Sequence, residues 1–291
     1  MQRIFAEKSL FVRNVLLKKI AVSRGEEMKM ETARNVIKEC VKEGGKILLE
    51  YFNRPFQVWE KSKGNLVTEV DLKSEEKIKS IIQKNFPEHG ILGEESGFQN
   101  TDSEYLWVID PLDGTTNYSM KNPFFNVSVS LAKNNNIVLA CTYVPVTNEL
   151  FFAEKGEGAF LNEKPIRVSK EADISKLNIA FCNGGLKEDK IEIAKIFAKL
   201  KLIARDFDRL KSGALELAFV ASGRLGGYLA NNNKAWDSAA GSLLVKEAGG
   251  KVTDFEGNPW NVESKDILAT NKKIHQEILD IVKEIREQDF N

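Results

Sequence analysis

The chain has 291 residues, 42% hydrophobic and 29% charged, with 42 Lys and Arg balancing 42 Asp and Glu. That length holds one large domain or two ordinary ones, and the composition is that of a globular protein. The balanced charge excludes a general field for nucleic acid, so no DNA partner is expected, or for an anionic membrane surface. No apolar run approaches the roughly 20 residues of a membrane-spanning helix.

Cys40, Cys141 and Cys182 are odd in number and far apart, with no C-x-x-C spacing. They predict free thiols in a reducing, cytoplasmic setting. His89 and His275 are the only histidines. A Ser-His-Asp enzyme or a histidine-rich metal site is hard to build from two. Chemistry is left to carboxylates, hydroxyls and a hard metal.

Residues 1–29 space Arg3, Lys8, Arg13, Lys18, Lys19 and Arg24 through apolar positions. This is either an amphipathic targeting segment or an upstream extension ahead of Met28 and Met30. From Glu31 to Tyr51 apolar residues follow helical spacing, and Pro55 ends it. A polar loop, Lys61-Ser62-Lys63-Gly64-Asn65, then runs into Leu66-Val67-Thr68-Glu69-Val70-Asp71. Leu72 to Phe86 predicts a second helix, with Asp71 as its N-cap or as an acid of a catalytic loop.

Ile91-Leu92-Gly93 predicts a short strand entering Glu94-Glu95-Ser96-Gly97. Next comes Trp107-Val108-Ile109-Asp110-Pro111-Leu112-Asp113-Gly114-Thr115-Thr116-Asn117, a buried strand ending in a turn that opens a helix. Two ionised carboxylates this close repel unless a cation lies between them. Pro111 stiffens the turn so that both acids and the Leu112 carbonyl converge. Gly114 admits a ligand close to the backbone, and the N–H groups of Gly114 and Thr115 would face an anion. Hard oxygen donors of this kind suit Mg²⁺. The plain alternative is a capped turn with two solvated aspartates.

Val127, Val129 and Leu131 alternate with Ser128 and Ser130, which predicts a half-buried strand. Strands over 137–144 and 150–153 follow, with hairpin turns at 156–158 and 162–165. After about Asp173 strands and helices alternate: strands at 179–181, 201–204 and 225–229, helices at 189–200 and 212–222. Ala235-Trp236-Asp237-Ser238-Ala239-Ala240-Gly241 opens a further helix with an acid at the positive end of its dipole. A strand at 251–254, another at 267–270 and a closing helix complete the chain. The pattern predicts an α+β metal-binding half over 30–172 and an α/β half over 173–291 that completes the site.

Leu66-to-Asp71, Gly93-Glu94-Glu95-Ser96, Asp110-Pro-Leu-Asp113-Gly-Thr115-Thr-Asn and Trp236-Asp237-Ser-Ala-Ala-Gly occur in that order, with Glu247-Ala-Gly-Gly-Lys-Val-Thr-Asp254 after them. Together they resemble the inositol monophosphatase superfamily of magnesium-dependent, lithium-sensitive phosphatases, over about residues 31–285. The resemblance implies a layered α-β-α-β-α sandwich, a homodimer, and two to three Mg²⁺ ions. It implies that Glu94, Asp110 and the Leu112 carbonyl hold one ion, that Asp110, Asp113 and Asp237 hold a second, and that Glu94 helps hold a weaker third. Thr115, with Asp71 or Glu94, would orient and deprotonate the attacking water. Asp113, Gly114, Thr115, Ser212 and the loop lysine Lys61 would meet the phosphate or substrate, and Glu95 would be a neighbour of a ligand.

The implied reaction is hydrolysis of a small phosphorylated polyol or sugar, such as an inositol monophosphate. Two departures bear on the substrate. Ala230 stands where inositol phosphatases carry an acid, and Lys211 stands where a glycine is usual. Lys211 and Lys234 would suit a second anionic group, as in fructose 1,6-bisphosphate or a 3′-phosphonucleotide, or they are surface charges. The alternative of another class is a non-catalytic partner in transcription or ribosome assembly.

Overall fold

The computed structural model describes residue 27 and residues 29–62, 65–100 and 103–289. The basic segment before residue 27 therefore lies outside the described residues. Helix α1 covers residues 29–52. A hairpin follows, of β1 (Val58–Ser62) and β2 (Asn65–Thr68), and leads into α2 (Glu69–Asn85).

Eight strands then form one sheet: β3 (Gly90–Gly93), β4 (Gly97–Gln99), β5 (Tyr105–Asp113), β6 (Asn126–Lys133), β7 (Asn136–Val144), β8 (Glu149–Glu154), β9 (Gly158–Leu161) and β10 (Lys164–Pro165). Their order is β10-β9-β8-β7-β6-β5-β3-β4, and β3 and β5 are the parallel pair. The short helix α3 (Thr115–Ser119) sits between β5 and β6. The second half adds β11 (Asn178–Cys182), α4 (Lys187–Leu200), β12 (Asp206–Asp208), α5 (Gly213–Ala221), β13 (Gly227–Ala230), α6 (Ala235–Glu247), β14 (Lys251–Thr253), β15 (Ile267–Thr270) and α7 (His275–Asp289). Its sheet runs β12-β11-β13-β15-β14.

Three apolar cores define the layers. Ile37, Cys40 and Val41 of α1 and Ile78 and Ile82 of α2 pack on Trp107, Ile109, Val127 and Val129, one face of the large sheet. Its other face, with Val108, Ala132 and Ala140, packs on α5 and α6, which in turn cover Tyr228, Ala230 and Ile267 of the small sheet. Ile193 and Ile196 of α4 and Ile278 and Val282 of α7 close the far side against Leu229 and Leu268. The result is the predicted α-β-α-β-α sandwich. Helices α5 and α6 lie between two sheets, so nearly all of α5 and the Ser238–Val245 stretch of α6 are buried. Gly241 allows their close approach, because a Cβ there would stand 2.4 Å from Cβ of Leu217.

Four expectations change. Strand β6 is buried on both faces, Ser128 and Ser130 included. The alternation marks small against large side chains between two helical layers, rather than water against core. Residues 201–204 form a turn, not a strand: the N–H groups of Lys201, Leu202, Ile203 and Ala204 return to carbonyls at the end of α4, and Leu202 is 85% exposed. The strand expected at 225–229 begins two residues later, at Gly227. Helix α2 begins at Glu69 with Thr68 as N-cap, so Asp71 is the third residue of a capping box rather than the cap.

The cysteines are free, with Cys40 and Cys141 buried. His89 stacks between the rings of Phe86 and Tyr105 and accepts the Trp107 indole N–H at 3.0 Å. His275 is buried between the hydroxyls of Thr253 and Thr270. Neither histidine is part of the carboxylate cluster. No helix among the described residues is long and apolar enough to cross a membrane.

Candidate active site

Strand β5 carries the site to its end. Its register with β6 shifts between Asp110 and Asp113, and such a bulge re-aims side chains. Pro111 in that stretch has no N–H to donate, and its carbonyl is held by the Ser74 hydroxyl of α2 at 2.9 Å. Gly114 then turns the chain with φ +90°, where a Cβ would lie 2.6 Å from the Phe124 carbonyl oxygen. Glycine is the residue that tolerates both conditions.

Asp71 serves two structures with different oxygens. Its Oδ2 accepts the Thr68 backbone N–H at 2.8 Å and the Thr68 hydroxyl, completing the capping box. Its Oδ1 faces Thr115 Oγ1 at 3.2 Å, and that hydroxyl is 3.0 Å from the Leu112 carbonyl. One hydroxyl proton thus serves two acceptors. Asp71 thus closes the capping box at the N3 position and at the same time meets Thr115 with its other oxygen.

Glu94 leaves β3 with its N–H on the Ile109 carbonyl at 3.1 Å. Lys61 on the hairpin reaches Glu94 at 3.3 Å and Glu95 at 2.6 Å. The Glu95 N–H is held by buried Glu75 at 2.9 Å. From the opposite side, Asp237 is the third residue of α6, and its carboxylate accepts the Lys234 N–H at 3.2 Å.

Asp113 is buried and richly bonded. Its Oδ2 accepts from Asn126 Nδ2 at 2.6 Å, Ser212 Oγ at 2.7 Å and the Ala214 N–H at 3.0 Å, and its Oδ1 accepts from the Gly213 N–H at 3.1 Å. These backbone donors are the first N–H groups of α5, which favour an anion. Asp110, three residues earlier, accepts the Leu112 N–H at 3.1 Å.

The electrostatics follow from burial and crowding. Burial, then the Asp237 charge, pushes Glu94 up to about 8. Burial, then Asp113, pushes Asp237 up to about 7, and burial pushes Asp71 up to about 6 against the opposing Thr68 bonds. Asp110 is held well above the carboxylate range by burial and by Glu94, Asp113, Asp237 and Asp71. Burial raises Asp113 too, while its donors from Ser212, Asn126 and α5 pull it back. Lys61 is disfavoured by burial, yet the two glutamates raise its pKa.

Four acids, three of them raised by their neighbours' charge as well as by burial, with one lysine among them, fit a hard divalent cation by donor chemistry and by uncompensated charge. The Leu112 carbonyl retains a second lone pair beside its Thr115 bond. Among the described residues no three His, Cys, Asp or Glu side chains close on a single point at ligand distance, so the cluster is an open one.

Asp71, Glu94, Asp110, Leu112, Asp113, Thr115, Asp237 and Lys61 are thus linked by direct contacts or by mutual charge. Ser212, expected to meet substrate, is buried with its hydroxyl on Asp113. Lys211 and Lys234 are exposed. Ala230 is buried at the end of β13, on the face packed against α5 and α6. Sequence reasoning missed Asn126, Glu75 and Glu216. Glu216 had a signal, a lone acid among Leu215, Leu217 and Ala218 on an apolar helix. Burial pushes it up to about 8.

A model of the inositol monophosphatase family matches residues 29–287. The chain is 36% identical over 267 residues to Nus factor SuhB of Haemophilus influenzae, covering 90% of this chain and 100% of that protein. It is 36% identical over 246 residues to the fructose-1,6-bisphosphatase/inositol-1-monophosphatase of Thermotoga maritima, covering 84% and 93%. Among solved structures, the extragenic suppressor protein SuhB of Bartonella henselae superposes with a TM-score of 0.83 at 34% identity, over 87% of this chain and 98% of that one.

Proposed function

Because the chain belongs to the inositol monophosphatase family, we propose that it is a Mg²⁺-dependent phosphomonoesterase acting on a small phosphorylated polyol or sugar. The observation that carries this reading is the grouping of Glu94, Asp110, Asp113 and Asp237, the first and last half-buried and the middle two buried, in a cluster whose charges repel. A protein that only binds partners has no physical need for that much opposed charge in one place.

Glu94, Asp110, Asp113, Asp237 and the Leu112 carbonyl would hold the metal. Mg²⁺, when bound, supplies Lewis-acid chemistry: it polarises phosphoryl oxygens, acidifies water and neutralises the leaving alkoxide. The Thr115 hydroxyl, fixed between Asp71 and Leu112, orients the attacking water. Asp71, pushed up to about 6, is matched to take its proton near neutral pH. Lys61 offsets the charge of Glu94 and Glu95 from the hairpin and would meet a phosphoryl oxygen.

A second reading is favoured by the name that several relatives share, Nus factor SuhB: a non-catalytic role in transcription or ribosome assembly. Phosphate release separates the two. Inositol 1-phosphate, fructose 1,6-bisphosphate and a 3′-phosphonucleotide are each incubated with and without Mg²⁺. Turnover that requires Mg²⁺ supports the enzyme, and no release from any of the three at saturating Mg²⁺ favours the binding role. The implied homodimer is checked by analytical ultracentrifugation.

A further inference from the structure

Glu216 lies in the middle of α5 with no solvent exposure. Its Oε1 does not serve its own helix. It reaches back to accept the N–H of Leu210 at 2.7 Å, ahead of the first turn. Its Oε2 is buried with no hydrogen-bond partner among the described residues. A buried carboxylate satisfied on one side is costly, so packing alone does not explain an acid here.

The carbonyl of the same Leu210 is held from the other half of the protein. Asn117 on α3 donates to it at 2.6 Å and to the Phe124 carbonyl at 2.8 Å. Leu210 is thus pinned at both ends of its backbone, by Glu216 and by Asn117. The next residue, Lys211, takes a left-handed φ of +56°, a conformation that costs an L-residue with a Cβ and needs its flanks held. Then come Ser212, Gly213 and Ala214, whose hydroxyl and N–H groups all end on Asp113.

We propose that Glu216 and Asn117 form a buried clamp on Leu210 that aims Ser212 and the first turn of α5 at Asp113, making Glu216 a positioning residue for the metal site. Glu216 touches neither substrate nor metal in this scheme. It acts two residues upstream of the donors, by fixing the strained turn from which they start. Without the clamp, Lys211 is free to leave the left-handed region, and the α5 donors turn away from Asp113. The carboxylate then loses the orientation in which it would ligate.

The proposal rests on the reading of Asp113 as a metal ligand, so the test measures Mg²⁺ binding directly, by calorimetry on the full chain, alongside the melting temperature without metal. Glu216→Ala should weaken Mg²⁺ binding by about tenfold or more, the usual scale for residues that orient a metal ligand. Glu216→Gln keeps an amide oxygen for the Leu210 N–H and should restore binding to within about threefold. Asn117→Ala opens the clamp from the other end and should weaken Mg²⁺ binding in the same direction, which keeps the test alive if Glu216→Ala does not fold. Wild-type Mg²⁺ affinity in Glu216→Ala or Asn117→Ala overturns the clamp. So does a Glu216→Gln protein as weak as Glu216→Ala, since charge and not the acceptor would then matter. A wild-type protein that binds no Mg²⁺ overturns the functional reading instead.

Discussion

Asp110 and Asp113 leave the same strand three residues apart, and the protein surrounds them in opposite ways. Asp113 receives Asn126, Ser212 and the first N–H groups of α5. Asp110 receives the Leu112 N–H and is otherwise faced by Glu94, Asp113, Asp237 and Asp71. One bank of the cluster is satisfied from within; the other is negative charge left for an external cation. The difference comes from the second half of the chain. Helix α5 delivers donors to Asp113, while α6 delivers one more acid, Asp237. A ligand that several donors orient is precise, and a ligand short of donors attracts its ion strongly.

The largest expected effect breaks the charged bank. Asp110→Asn should nearly abolish turnover at saturating Mg²⁺ while the metal-free melting temperature stays level or rises, because a repelling charge is gone. Retention of more than about a tenth of wild-type kcat, a loss below ~1.4 kcal/mol of transition-state stabilisation, would falsify the proposed bridging role.

Asp113→Ala should do the converse to stability. It leaves the Ser212 hydroxyl, the Asn126 amide and the Gly213 and Ala214 N–H groups buried without their acceptor, a cost on the order of 3 kcal/mol. Urea unfolding of the metal-free protein measures it. If Asp113→Ala is as stable as Asp110→Asn, the contrast between the two banks does not hold.

Acidity sharpens the same comparison. Asp71, Glu94 and Asp237 have folded pKa values of about 6, 8 and 7, above their ordinary 3.8 for Asp and 4.5 for Glu. The folded state therefore binds protons more tightly than the unfolded state does. The stability these groups contribute is complete below about pH 4, is lost progressively as pH rises through the folded values of about 6 to 8, and is gone above them. The urea midpoint of metal-free protein should fall between pH 5.5 and 8 by roughly 1 M or less, and saturating Mg²⁺ should flatten that slope. A metal-free midpoint that rises over this range would show that the acids do not share a low-dielectric cluster.

Much of this was legible in the sequence where one residue type does one job. Asp110-Pro-Leu-Asp113-Gly, the terminating prolines and the 3.6-residue periodicity of α2 and α7 each name their structure. The layered sandwich was legible through the resemblance, and the three cores explain it. What was not legible depended on partners far along the chain. Ser128 and Ser130 look solvent-facing until α5 and α6 cover them. Leu202 and Ile203 look like a strand, yet the chain there is still closing off α4. Ser212 looks like a substrate contact, and its hydroxyl is committed to Asp113 across the two halves. Asn126 and Asn117 carry no local pattern at all, because their work is to hold oxygens and donors that arrive from elsewhere in the fold.

The smallest effect tests the turn between the two banks. Lys211 is exposed, with φ +56°. A left-handed conformation costs a residue with a Cβ about 1–2 kcal/mol. Glycine removes that cost but loses roughly 0.5–1 kcal/mol of unfolded-state entropy. Lys211→Gly should therefore stabilise the protein by about 0.5–1 kcal/mol. The same substitution removes an ammonium, so Lys211→Asn, which tolerates the left-handed region, serves as the charge-only control. An exposed ammonium meeting a second phosphate contributes roughly 0.5–1 kcal/mol. Both variants should therefore lower kcat/KM for fructose 1,6-bisphosphate relative to inositol 1-phosphate by about two- to fivefold. If Lys211→Gly loses stability, the turn is not strained in the way its backbone angle implies. If the substrate ratio ignores both variants, Lys211 is a solvated charge and does not meet a second anionic group.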